Sequence, residues 1–210
     1  RIPEEKIEVI PNGINVDEYD IEVDTEAKRD ELGIDHDSFL IACVAKLQPQ
    51  KDHETLLKAY SDFQDEKTTD LLLIGDGPLR GELEGLADDL GVSDSVHFLG
   101  WRDDVKELLQ TIDVFVLPSR HEGMSNALLE AMASRCCCVV SDIAENRTLV
   151  RDRKDGRTFN TGNPAHLQQV LRAVKNDCKF GVDAFHRVEK DFSVSSTVRQ
   201  YSILLENNCE

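Results

Sequence analysis

Apolar residues along the chain fall into short blocks, separated by longer stretches in which they recur every three or four positions. The blocks are "FLIACVA" (39–45), "DLLLIG" (70–75), "SVHFLG" (95–100), "DVFVLP" (113–118), "CCCVVS" (136–141) and the shorter "RTFN" (157–160). Most are apolar throughout, which is the pattern of strands covered on both faces. The stretches between them read as amphipathic helices. "DHETLLKAYSDF" carries Leu56, Leu57, Tyr60 and Phe63 at helical spacing, and "PLRGELEGLADDLG" opens with Pro78 and closes at Gly91. "DDVKELLQ" and "SNALLEAMAS" follow. Beyond residue 160, "NPAHLQQVLRAVKN", "GVDAFHRVEKDF" and "SVSSTVRQYSILLENN" read as three helices in succession. Near the start, "IEVIPNGI" reads as a short strand followed by a turn.

This alternation predicts an α/β fold, a doubly wound parallel sheet with a helical C-terminal tail. The simplest parse is one domain over 1–210, with a core at 21–160 and terminal helices at 161–210. Such sheets bind ligands at the carboxyl ends of their strands.

Composition narrows the picture. The chain has 210 residues, 40% hydrophobic and 31% charged, which suits a globular domain with a core of its own. No apolar run approaches the roughly 20 residues that span a bilayer, and no signal peptide is visible. A start without methionine leads us to expect a piece of something longer, and the expected location is cytoplasmic. A formal net charge of -17 argues against a nucleic-acid binder, which presents a basic face. The six cysteines form no C-x-x-C pair, and three stand together in "CCCVV" as small buried hydrophobes. Reduced thiols and no metal site are the expectation.

Candidate chemistry lies where strands give way to helices. "AKLQPQKDHE" offers Lys46 and Lys51 on one loop. "GDGP" places Gly75 and Gly77 in a tight turn, with neither the G-x-G-x-x-G nor the phosphate-loop pattern. "GWRDD" brings Trp101 and Arg102. The stretch "SRHEGMSNALLEAMAS" holds Glu122 and Glu130 with seven residues between them. A helix starting near Ser125 or Asn126 offers its N–H groups and dipole to an anion, and Gly123 lets a ligand near the backbone. Glu130 then lies roughly 7 Å along the axis at about 1.5 Å per residue, within reach of sugar or ribose hydroxyls. The spacing fits a ligand with hydroxyls at each end and a diphosphate between them. Taken singly, the lysines read first as solvated surface and "GDGP" as an ordinary turn, and Glu130 reads equally as a solvent-facing helix residue; their order along one sheet is the signal.

In that order, "VIPNGI", "AKLQPQKDHETLLKAY", "LLLIGDGP", "VHFLGW", "DVFVLPS" and "EGMSNALLEAMA" resemble the family-4 glycosyltransferases, also called glycosyl transferases group 1. The resemblance runs over nearly the whole chain. It implies one Rossmann-like half of a GT-B enzyme, the carboxyl-terminal, donor-binding half, with residues 1–20 near the junction and the amino-terminal acceptor half absent. The implied reaction moves a sugar, with retention, from a nucleotide diphosphate sugar to an unknown acceptor in polysaccharide or glycolipid synthesis. No metal or other cofactor is required, and the isolated chain is expected to be inactive. By position, Lys46 and Lys51 resemble the cations on the diphosphate, and Glu122 the first glutamate, near the transferred sugar. Gly123, Met124 and Ser125, with Asn126, resemble the segment holding sugar and phosphate. Glu130 resembles the glutamate on the ribose, Gly75 and Gly77 the turn near the nucleotide, and the loop of Trp101 and Arg102 the lining of the base. Lys46 stands where the family has Arg. Arg135, Cys136 and Cys137 replace a Gly-x-Pro, and Ala144, Glu145 and Thr148 replace Gly-Gly and a later Glu. Alternatives are a non-catalytic nucleotide-sugar-binding module and a GT-B enzyme of another kind, such as a sugar-nucleotide epimerase or a pyridoxal-phosphate phosphorylase.

Overall fold

The structure, a computed structural model, describes Pro3 and residues 7–63 and 69–207. Six strands form one sheet: β1 (Phe39–Val44), β2 (Thr69–Ile74), β3 (Val96–Gly100), β4 (Val114–Leu117), β5 (Cys137–Ser141) and β6 (Arg157–Phe159). Their order is β3-β2-β1-β4-β5-β6, with every neighbouring pair parallel. Each apolar block of the sequence is therefore a strand, and the uniform apolarity has the expected cause. Leu71, Leu72 and Leu73 of β2 are all fully buried, although successive side chains face opposite sides of the sheet.

Helices cover both faces. On one side α2 (His53–Ser61), α3 (Arg80–Asp89) and α7 (Pro164–Asn176) pack Leu56, Tyr60, Leu83, Leu167 and Leu171 over Ile41, Leu73 and Val116. On the other, α4 (Val105–Thr111), α5 (Asn126–Ala133) and α8 (Gly181–Asp191) bury Leu109, Leu128, Met132 and Val188 against Phe115, Leu117 and Val140. Ala131 and Ala133 are fully buried, so α5 lies close to the sheet.

The structure adds two helices that hydrophobic periodicity does not show, α1 (Thr25–Leu32) and α6 (Ala144–Leu149). The strand expected in "IEVI" does not form: Val9 is 83% exposed, and the described residues offer it no partner strand. Instead Ile14 bridges to Ser193, at the start of α9 (Val194–Asn207). Its N–H donates to the Phe192 carbonyl (2.9 Å), and the Val194 N–H donates to the Ile14 carbonyl (3.0 Å). Gly13 makes this approach possible, because a Cβ there would lie 2.7 Å from Val194 Cα.

The cysteines correct a second expectation. Cys137 is bonded to Cys178, at a Cα separation of 6.2 Å, rather than reduced. The chain beyond α7 returns beside the start of β5, and a 41-residue separation gives no local sign of that. Cys43, Cys136 and Cys138 are free and buried, as expected of small hydrophobes. Cys209 lies outside the described residues.

Candidate functional site

The order of strands locates the site before any side chain is considered. The chain winds outward from β1 through β2 to β3, then restarts at β4 and winds the other way through β5 to β6. The crevice outside the carboxyl ends of β1 and β4 is the switch point where such sheets take ligands. The two loops that open there carry Lys46 and Lys51, after β1, and residues 118–125, after β4.

Those loops meet. Lys51 ends a 3-10 turn over Pro49–Lys51, and its Nζ donates to Glu122 Oε1 at 2.6 Å. The Ser119 hydroxyl donates to the same oxygen at 2.6 Å. The Lys51 and Glu122 side chains are only 15% and 6% exposed, so this is a mostly desolvated pair. The Arg120 N–H donates to the Gln50 carbonyl (2.8 Å), and its guanidinium pairs with the buried Asp52 carboxylate (3.0 Å). Lys46 is exposed and has no acidic partner among the described residues.

Beyond Glu122 the backbone leads into α5. Ser125 is its N-cap, the hydroxyl accepting from Leu128 N, as the sequence predicts. Met124 Sδ accepts from Asn12 N at 3.2 Å, which ties the 11–14 loop to the site. A side chain at Gly123 would meet nothing within 4 Å, so the fold alone does not require glycine there. Asn126 and Glu130 face the 11–14 loop across a cavity of about 390 Å³ that also reaches Tyr201 of α9. Burial pushes the Glu130 carboxyl above the usual carboxylate range, while the Lys106 charge and a hydrogen bond from Tyr19 pull it back. The Tyr19 phenol, beneath the Lys106 ammonium (5.1 Å), is itself pushed up to about 12 by burial and then by the Glu130 and Glu18 charges.

Gly75 and Gly77 have a structural reason to be glycine. A Cβ on Gly75 would lie 2.2 Å from the Ala45 carbonyl oxygen, and one on Gly77 would lie 2.3 Å from that of Leu47. Gly75 also has φ of +132° and donates its N–H to the Gly100 carbonyl at 2.8 Å. These glycines let the loops after β1, β2 and β3 pack backbone to backbone. Arg102 is engaged by Asp104 (2.5 Å) and Glu31 (2.7 Å), in a network that includes Lys28 and holds the Asp104 carboxyl well below its ordinary range. It braces its loop and leaves Trp101, 79% exposed, at the tip.

The structure thus brings Lys51, Glu122, Gly123, Met124 and Ser125 together, with Glu130 one helical turn further on. It sets Gly75, Gly77, Trp101 and Arg102 on the neighbouring loops of the same rim. Tyr19 and Ser119 are additions that the sequence reading missed; Ser119 stands three residues before Glu122, inside the stretch that already looked functional. Among the described residues no group of three His, Cys, Asp or Glu side chains is arranged to hold a metal ion.

The family model for glycosyl transferases group 1 matches residues 24–183. The chain belongs to this family. This chain is 34% identical over 177 residues to the Escherichia coli UDP-Gal:alpha-D-GlcNAc-diphosphoundecaprenol alpha-1,3-galactosyltransferase, covering 82% of this chain and 46% of that protein. It spans about half the length of the curated relatives it matches. It superposes with a TM-score of 0.90 on Anabaena HepE, solved with UDP and glucose, covering 98% of this chain and 58% of that one at 22% identity. The C-terminal domain of the Francisella tularensis group 1 protein LpcC covers 87% of this chain, with all of that chain matched, at a TM-score of 0.77 and 16% identity. At such identities these two likenesses establish the fold: a Rossmann-like domain of GT-B type.

Proposed function

We propose that this chain is the carboxyl-terminal, donor-binding half of a retaining family-4 glycosyltransferase that uses a nucleoside diphosphate sugar. The observation that carries the reading is the rim itself. Lys51 paired to Glu122, Lys46 with no acidic partner among the described residues, the N-terminus of α5 and Glu130 belong to the two loops and the helix that open on the β1/β4 crevice. Gly123, which the fold leaves unexplained, gives a ligand access to the backbone between them.

In this reading the diphosphate sits against the α5 N–H groups, with Lys46 and Lys51 supplying positive charge as it departs. Lys46 acts as a point charge, without the bidentate fork of an arginine. Glu130 takes the ribose hydroxyls and Glu122 those of the sugar. Trp101 lies beside the base. Positive charge at the leaving oxygens removes the need for a divalent ion. In this reading the 11–14 loop, beside the 390 Å³ cavity, lies near the junction with an amino-terminal half that would bring the acceptor. Without that half the chain binds donor but does not turn over. No helix among the described residues is long and apolar enough to cross a membrane.

Calorimetry with UDP, GDP and ADP tests the proposal. One of them should bind and quench the fluorescence of Trp101, the chain's one tryptophan. Glu130→Ala should weaken binding about tenfold, the effect of losing hydrogen bonds to a charged group. Failure of all three nucleotides to bind at millimolar concentration would refute the reading. The segment at Ala144, Glu145 and Thr148 departs from the family's pattern and favours a second reading, binding without transfer. Turnover after joining a matching amino-terminal half would exclude it.

A further inference from the structure

The hydrogen bonds to Glu122 continue inward from the rim. Ser119 is fully buried at the end of β4, and its carbonyl accepts a hydrogen bond from the Ser141 hydroxyl at the end of β5. Ser141, also fully buried, accepts in turn from Asn146 Nδ2, at 3.0 Å on its hydroxyl and 3.1 Å on its carbonyl. Asn146 is 1% exposed and belongs to α6, the segment that departs from the family's pattern. One line of bonds therefore runs from α6 across the ends of β5 and β4 to Glu122, and through Glu122 to Lys51 on the loop after β1.

The asymmetry at Glu122 gives the line its meaning. Ser119 and Lys51 both donate to Oε1, whereas Oε2 has no partner among the described residues and still reaches solvent. A carboxylate gripped by one oxygen cannot rotate freely, so its free oxygen points in a fixed direction.

We propose that Ser119 is a positioning residue for Glu122: with Lys51 it holds Oε1 and aims Oε2 at the hydroxyls of the donor sugar, while Ser141 and Asn146 fix Ser119 from behind. This rests on the donor-site reading above, and it adds a residue that acts on the sugar end of the donor alone. A single hydroxyl thus separates recognition of the sugar from recognition of the nucleotide. Asn146 also gives the divergent α6 segment a task, bracing the site by a buried amide.

UDP-glucose and UDP are the probes, measured by calorimetry on the wild-type chain, Ser119→Ala, Glu122→Gln and the double variant. Ser119→Ala should weaken UDP-glucose about tenfold, from loss of a hydrogen bond to a charged group, and UDP by less than about twofold. In the Glu122→Gln background the same change should cost nothing further, because coupled residues are non-additive. Equal losses for both ligands, or an undiminished loss in the Glu122→Gln background, would overturn the proposal. Ser141→Ala, which frees the Ser119 carbonyl, should show the same preference for harming UDP-glucose and guards against a misfolded first variant. A ligand-free measurement separates the two readings. The Lys51 ammonium signal in ¹⁵N NMR should shift in Ser119→Ala and lose its protection in Glu122→Gln. If wild-type chain binds neither probe, the donor reading fails for uridine nucleotides while that signal still decides the positioning role; an unchanged Lys51 signal in Ser119→Ala overturns it.

Discussion

Replacing Lys51 by methionine should separate two lysines that stand five positions apart on one loop. The Glu122 side chain is 6% exposed and that of Lys51 is 15%, and their charged atoms lie 2.6 Å apart. Removing the cation leaves a nearly buried carboxylate with the Ser119 hydroxyl as its remaining partner. Breaking a buried pair from one side costs about 3–5 kcal/mol, because the surviving charge stays desolvated. Ser119 still donates here and Oε2 still reaches solvent, so the lower end applies, about 3 kcal/mol. Lys46→Met removes an exposed cation with no acidic partner among the described residues, and should change stability by no more than about 0.5 kcal/mol. The double change Lys51→Met with Glu122→Gln should recover all but about 1 kcal/mol of the single loss, since an amide leaves no charge uncompensated. Equilibrium urea unfolding measures this directly. At the larger slopes expected for 210 residues, Lys51→Met should lower the midpoint by about 1 M relative to Lys46→Met. Matching midpoints for the two single variants, or a double variant as unstable as Lys51→Met, would show that Glu122 is solvated without its partner and refute the desolvated-pair reasoning.

Two further outcomes follow from buried groups outside the Lys51–Glu122 pair. Closing a 41-residue loop, Cys137–Cys178 should contribute about 4 kcal/mol, so reductant or Cys178→Ser should lower the urea midpoint. Thiol titration of the unfolded, unreduced chain should find two fewer thiols than the six cysteines; six reactive thiols would refute the bond. His53 is 2% exposed with Nδ1 unpartnered, and burial, aided by the Lys51 charge, pushes its pKa down to about 4. Folding therefore favours neutral His53, and this stability is complete above about pH 6.5 and drains away as the pH falls toward 4, about 3 kcal/mol in all. His53→Gln should lose less stability than wild type between pH 7.5 and 4.5, and identical losses in the two chains would rule the histidine out as the cause.

The elements that the sequence makes legible are those whose burial is periodic. All six strands can be read because both faces of the sheet are covered, which leaves solid apolar blocks such as Leu71–Leu73. By the same reasoning α1 is invisible: none of its residues is fully buried, and Leu32 alone among its large apolar side chains packs partly on the core. Its sign lies at its ends, where the Asp24 side chain accepts from Ala27 N and Gly33 takes a left-handed φ of +69°. Capping chemistry marks a helix whose faces carry no hydrophobic stripe. The six residues of α6 are too few for a period to repeat. The false strand at "IEVI" errs in the opposite sense, because alternation registers only when a neighbouring strand or helix accepts the apolar face.

The same distinction divides the candidate site. Glu122, Glu130, Lys46 and Lys51 can be read from the chain because each stands at a fixed offset from a strand end or a helix start. Ser119, Ser141 and Asn146 cannot, since what joins them is the pairing of β4 with β5 and the return of α6 beneath the rim. Cys137 and Cys178 are hidden for the same reason, and so is Tyr19, which reaches Glu130 from a turn 111 positions earlier in the chain. In the proposed reading, the groups that meet the ligand lie at loop ends, where sequence offsets specify them. Groups that aim those first groups lie one layer deeper, where only the order of strands brings them together. If Ser119 aims Glu122 as proposed, a chain can keep its motif while that aim changes through a buried serine or asparagine, and the divergent segment around Asn146 lies where such a change would act.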